Sequence, residues 1–343
     1  MSQNRRTFLR ILGAGSALYA SSAAAQPRRP RFLEGGGTPD IVAGVDSPEL
    51  TRAVGALHLG GLSRHEALAV VYVHGDLGPA LSITTLDEAR GRGELVISER
   101  GQATVPELIV DNRLGTPVLL LAGEILAGGK QNRVVTEDIL LPPHSGERPL
   151  GVYCVEQGRW ASSGGGFRSS GAVAGAALRS RIMAKSDQAS VWSAVRQYEA
   201  SARVSSATRS YTAVAESSAV EQRRAEVERH IDGRAPAGAV GVAIFHGGTM
   251  LGLDVFADAS LFARQWPKLL RAAIVDTLAL PQTAAAPDAV LRDAVQARLK
   301  AVVGAKGTRH GNAGIGAIFE TRSGQHVAAA LIHEGRVVHL AVV

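Results

Sequence analysis

The sequence predicts an α+β fold: a β-rich N-terminal half, a helical middle, and a C-terminal hairpin plus helices and a three-strand antiparallel meander. Three observations predict it. Strand-like and helix-like stretches come in separate blocks instead of alternating, which argues against a doubly wound α/β sheet. Short Gly-containing turns, Gly247-Gly248, Ser323-Gly324 and Glu334-Gly335, sit between apolar β-rich runs, the pattern of hairpins. The 343 residues are 45% hydrophobic but only 4% aromatic, so a sizeable core must be packed from small side chains.

Taken in order, residues 67–74 (ALAVVYVH) are a compact run rich in β-branched side chains and predict a strand. Residues 86–92 predict a short helix and 94–98 a strand. Residues 105–112 and 117–122 predict a strand pair around a turn at 113–116. Further strands are expected over 133–141 and 150–155, separated by Pro142-Pro143 and a Ser-Gly turn. Residues 161–175 (ASSGGGFRSSGAVAG) read as a mobile Gly/Ser-rich loop. Ser186 is expected to cap a helix to about residue 200, with Val191, Val195 and Tyr198 on one face. Residues 211–231 predict a second, longer helix stopped by Gly233. The hairpin is predicted over 239–245 and 250–256. Residues 261–280 predict a helix with Pro267 in a first turn or at a kink. Residues 287–303 predict another, with Leu291, Val295, Leu299 and Val302 aligned. The meander covers 314–321, 325–333 and 336–343.

The first 25 residues read as an address. NRRTFLR at 4–10 precedes a mild apolar stretch and Ala23-Ala24-Ala25, a small-x-small cleavage site; the segment is similar to a twin-arginine signal peptide. The expected organisation is therefore a signal peptide over 1–25, a linker over 26–45, and one large α+β domain over 46–343, with possible sub-lobes 46–180 and 236–343. The mature chain is expected to be periplasmic or secreted, to meet the export machinery through 1–25, and to keep no membrane anchor after cleavage. A single cysteine permits no internal disulfide. The net charge of +6 falls to +3 without the leader, and no basic run persists, so no nucleic-acid partner is expected.

Two short stretches concentrate polar chemistry, 123–133 (GEILAGGKQNR) and 154–160 (CVEQGRW). Gly128-Gly129 permits backbone conformations closed to other residues. Lys130 and Arg133 supply cations, and Gln131 and Asn132 each offer donors and an acceptor. Arg159 beside Trp160 suits stacking on a planar ligand or clamping an anion. Glu124 and Glu156 are the candidate acid/base pair. A small-molecule ligand is thus expected at Lys130, Gln131, Asn132, Arg133, Arg159 and Trp160. Two other readings stay open: a non-catalytic envelope binding module, and a buried network in which the two stretches satisfy each other. No metal-ligand spacing occurs among the ten histidines, and no cofactor is assigned. Cys154 has no sequence-local histidine partner and reads as a small buried hydrophobe.

These stretches, together with VPELIVDNRLGTPVLLLAGEILAGGKQNR and VVTEDILLPPHSGERPLGVYCVEQGRW, resemble the ARG and Rhodanese-Phosphatase-superfamily-associated Protein domain family. The resemblance extends more loosely to VWSAV and the C-terminal meander. It implies no defined reaction. Through the family's association with ADP-ribosylglycohydrolases it implies an ADP-ribose- or nucleotide-like ligand. An export leader is a departure from that setting, because free nucleotides are scarce outside the cytoplasm.

Overall fold

The apolar run at Leu68–Gly75 shows why the molecule is layered. Leu68, Val70 and Tyr72 point into one core, and Ala69, Val71 and Val73 into another. A strand alternates its side chains, so an unbroken apolar run requires cover on both faces. On one side the cover is the helix Ala259–Ala279, through Phe262, Trp266, Leu269, Leu270 and Ile274. On the other it is the helix Asp288–Gly304, through Leu291, Val295, Leu299 and Val302, together with Leu50 of the helix Pro48–Gly55.

The computed structural model describes residues 41–99, 106–159 and 166–343. The predicted leader, residues 26–40 of the linker, and Trp160 lie outside them. The described residues belong to one compact unit and hold eight helices and eighteen strands, an α+β protein. No described helix is long and apolar enough to cross a membrane.

The main sheet has nine strands. Its order is Val42–Val45, Gly307–His310, Ala317–Ser323, His326–His333, Arg336–Val342, Thr249–Phe256, Ala239–His246, Leu68–Gly75 and Leu57–His65. Every pairing in it is antiparallel. The predicted meander and hairpin are therefore halves of one sheet, which the N-terminal strands complete. A six-stranded sheet runs Arg168–Val173, Glu124–Ala127, Arg133–Val135, Glu147–Cys154, Glu107–Asn112 and Leu95–Glu99. A small third sheet joins Ile139–Leu141, Val118–Leu120 and Thr84–Thr85.

Several elements differ from expectation for local reasons. Glu107–Asn112 does not pair with Val118–Leu120 but with Glu147–Cys154 and Leu95–Glu99. Asn112 spans the turn, donating from Nδ2 to the carbonyls of Thr116 (2.9 Å) and Pro142 (2.8 Å), and so sends the chain into another sheet. The predicted helix over 211–231 is broken into Tyr211–Ala215 and Ser218–Val227, because Ser217 caps a new start by accepting from the Val220 amide. Part of the predicted 161–175 loop is the strand Arg168–Val173, followed by the helix Ala176–Met183. Pro267 lies within the helix Ala259–Ala279, past its first turn.

Candidate functional site

The two polar stretches do meet. The hairpin Glu124–Ala127 and Arg133–Val135 is closed by residues 128–132, with Gly128 at φ +138° and Gly129 at φ +52°. A Cβ on Gly129 would lie 2.4 Å from the Phe167 ring, so no other residue fits. Arg159 lies over this turn. Its Nε donates to both Glu156 oxygens at 3.0 Å, its Nη1 to the Gly129 carbonyl at 2.6 Å and its Nη2 to Asn132 Oδ1 at 3.1 Å. The Asn132 amide donates to Glu156 Oε2 (3.0 Å), and its Nδ2 to Thr212 Oγ1 (3.0 Å). Gln131 and Arg133 are buried, with Arg133 Nη1 donating to Gln131 Oε1 (3.3 Å). The Lys130 amide donates to Glu99 (2.9 Å). Burial pushes the Glu156 carboxyl up, but Arg159 and the Asn132 amide outweigh it and hold the group ionised below the usual carboxylate range. Most of these groups satisfy one another and bind three segments of chain together. Burial likewise raises the Cys154 thiol, which leaves it inert.

Glu124 belongs elsewhere. It opens its strand, so about 13 Å separates it from the turn at a rise of about 3.3 Å per residue. Its Oε2 accepts from the Leu121 amide (2.9 Å), and its Oε1 is bonded to Lys268 Nζ. Lys268 also meets Asp87 Oδ2 at 2.9 Å, and Ser169 Oγ is bonded to Asp87 Oδ1. Three elements converge here. The helix Leu86–Gly91 begins with a capping box between Thr85 and Glu88, which places Asp87 in its first turn. The strand Arg168–Val173 slips register against Glu124–Ala127 between Ser169 and Val173, and this bulge carries Ser169, Ser170 and Gly171 (φ +68°). Lys268 comes from the central helix Ala259–Ala279, which is buried on nearly every face.

An open cleft of about 430 Å³ begins at Asp87, lined by Asp87, Arg90, Gly91, Arg168, Ser169, Ser170 and Gly171. Ser170 Oγ and Arg90 Nε are sealed from solvent without hydrogen-bond partners, and Arg90 Nη1 donates to the Leu95 carbonyl. Burial acts to raise the Asp87 carboxyl, but Lys268 and the Ser169 hydroxyl lower it, so it faces the cleft ionised. Burial opposes the Lys268 charge, yet two carboxylates hold its proton more tightly than in a free lysine. A protonated lysine is a fixed charge, not a nucleophile. Burial pushes the Glu124 carboxyl up, and Lys268 only partly offsets it.

Behind the triad lies a second buried chain of charges. Arg179 makes a forked pair with Asp254 (2.9 and 2.6 Å); burial opposes its charge, but Asp254 above all, with Asp138 and Glu124, raises its pKa. His339 lies between Asp138 (Nδ1, 2.6 Å) and Asp254 (Nε2, 3.0 Å). Burial disfavours a charged ring, but the flanking carboxylates lift His339 to about 9, so both nitrogens donate.

Of the sequence-predicted residues, the structure unites Gln131, Asn132, Arg133, Glu156 and Arg159, with Lys130 joined through its amide, and sets Glu124 apart. Sequence reasoning missed Asp87, Arg90, Arg168, Ser169 and Lys268. A signal existed for Lys268: it is a charge set among Trp266, Leu269 and Leu270 on the buried face of its helix.

No curated protein matches the chain, and no solved structure matches it. The family model for the ARG and Rhodanese-Phosphatase-superfamily-associated Protein domain matches residues 56–343, which span both polar networks and the cleft. The chain therefore belongs to that family.

Proposed function

We propose that the chain binds a small polar, anionic ligand in the cleft between the helix Leu86–Gly91 and the strand Arg168–Val173. The observation that carries this reading is the buried Lys268, paired with Glu124 and with Asp87, which lines a cleft together with Arg90 and Arg168. Burying the Lys268–Glu124 pair costs several kcal/mol per ion, and a well-packed apolar replacement is often as stable. Arginine suits a phosphate or carboxylate, and ionised Asp87 suits a ligand hydroxyl. Lys268 fixes the local field, and Glu124 is the carboxyl readiest to carry a proton behind it.

Equilibrium dialysis of the purified chain against inorganic phosphate, a sugar phosphate and ADP-ribose tests this. At least one probe should bind, and Arg168→Ala should weaken it. Binding of none, or equal binding by Arg168→Ala, overturns the site. An ADP-ribose- or nucleotide-like ligand rests on the family association alone, and the ranking of the probes decides it. Export through residues 1–25 is part of the same proposal. Replacing Arg5 and Arg6 together by lysine should keep the chain in the cytoplasm, and unchanged fractionation would exclude the twin-arginine route.

A further inference from the structure

A different group of side chains converges away from the cleft. Glu137 lies between the strands Arg133–Val135 and Ile139–Leu141. His310 ends the strand Gly307–His310, and Glu320 lies in the neighbouring strand Ala317–Ser323. Glu320 pairs in register with Thr308, two residues from His310, so the two side chains share a sheet face. Glu137 is brought to them by its neighbour Asp138. The Asp138 carboxylate accepts from the Ala122 amide (2.8 Å) and pairs with His339, and its carbonyl accepts from Asn312 (2.8 Å). One donor atom from each of Glu137, His310 and Glu320 lies within 4.8 Å of the others, and His310 Nε2 is 3.3 Å from Glu137 Oε2.

We infer that Glu137, His310 and Glu320 form a binding site for a divalent transition-metal ion. Bonds of about 2.0–2.2 Å put neighbouring ligands about 3.0–3.4 Å apart, so one pair already has the required spacing. The three side chains are only 12–23% exposed, which limits competition from water. An imidazole nitrogen with two carboxylate oxygens suits manganese, iron or zinc better than magnesium or calcium. Two carboxylates this close repel one another, and the cation beside them is Lys185, 2.8 Å from Glu320 on a half-exposed stem. A metal ion would displace that ammonium, take His310 as the neutral imidazole with release of any proton it carries, and leave coordination positions for water.

The test uses the full, untagged chain stripped with EDTA and dialysed against Zn2+, Mn2+ or Mg2+, with bound metal measured by elemental analysis. One equivalent of zinc or manganese should be retained. Loss even of a group that only orients a metal ligand costs 10–100-fold, so His310→Ala and Glu137→Gln should weaken binding by at least about 100-fold. Their urea midpoints without metal should match the parent. Should either variant fail to fold, Lys185→Met on the exposed rim still reads the site, and should bind at least as tightly as the parent because the competing cation is gone. No retained zinc or manganese, a response to magnesium alone, undiminished binding by a folded His310→Ala variant, or weaker binding by Lys185→Met would overturn the inference.

Discussion

Both polar networks set carboxylates against cations, but they end differently. Around Arg159, nearly every donor finds an acceptor on the same three segments, and Arg133 Nε is the exception among its buried nitrogens. Around Lys268, the chain of charges runs through the ionised Asp87 to an open cleft that Arg90 and the exposed Arg168 also line. A closed network fixes a conformation. An open one leaves bonding capacity for a ligand. Density of polar residues in sequence does not separate the two, but where the donors end does.

The comparison can be broken first at Lys268. Removing it leaves the buried Glu124 carboxyl without its cation, so Lys268→Ala should cost about 3–5 kcal/mol in urea unfolding. The double variant Lys268→Met with Glu124→Gln should regain most of that loss while still failing to bind ligand. A double variant as unstable as the single one would make the triad structural. Arg159→Ala strips Glu156 and two carbonyls of their donor and should cost about 2–3 kcal/mol. Ligand binding should be unchanged in that variant, and a clear loss of affinity would merge the two networks.

Titration sharpens the account of the charges behind the cleft. The His339 contribution to stability is fully present below about pH 6.5 and is lost as pH rises through about 9. His339→Leu should flatten the stability profile in that window, and an unchanged slope would place the titration elsewhere. Asp276 acts with the opposite sign for an acid. Burial lifts it to about 6, against hydrogen bonds from Tyr198 and the Ala176 amide, so it lowers stability as pH rises from about 4 to 6. Asp276→Asn should remove that fall. The smallest effect is expected at Arg168, an exposed side chain whose replacement by alanine should stay within about 0.5 kcal/mol of the parent.

Much of the fold was legible because burial dictated it. The run at Leu68–Gly75, the hairpin of Ala239–His246 with Thr249–Phe256, and the aligned face of Asp288–Gly304 each carry their own periodicity. Strand neighbours were less legible. Leu68–Gly75 pairs with Ala239–His246 across more than 160 residues, and nothing local encodes that contact. The same holds at the sites. The meeting of GGKQNR with CVEQGRW could be anticipated from two dense polar runs near one another in sequence. Glu124 was grouped with the GGKQNR turn by sequence proximity, whereas its ion-pair partner Lys268 lies 144 residues away.

The most direct test is a thermal-shift measurement of Arg159→Ala and Arg168→Ala side by side, with and without the tightest ligand from dialysis. A ligand at 100 times its Kd adds about 2.7 kcal/mol, a shift of several degrees for a chain of this size. The account predicts that Arg159→Ala melts well below the parent yet gains the full shift, whereas Arg168→Ala melts like the parent and gains little. The reverse pattern, with the shift lost in Arg159→Ala and kept in Arg168→Ala, would place the ligand at the closed network and contradict the account.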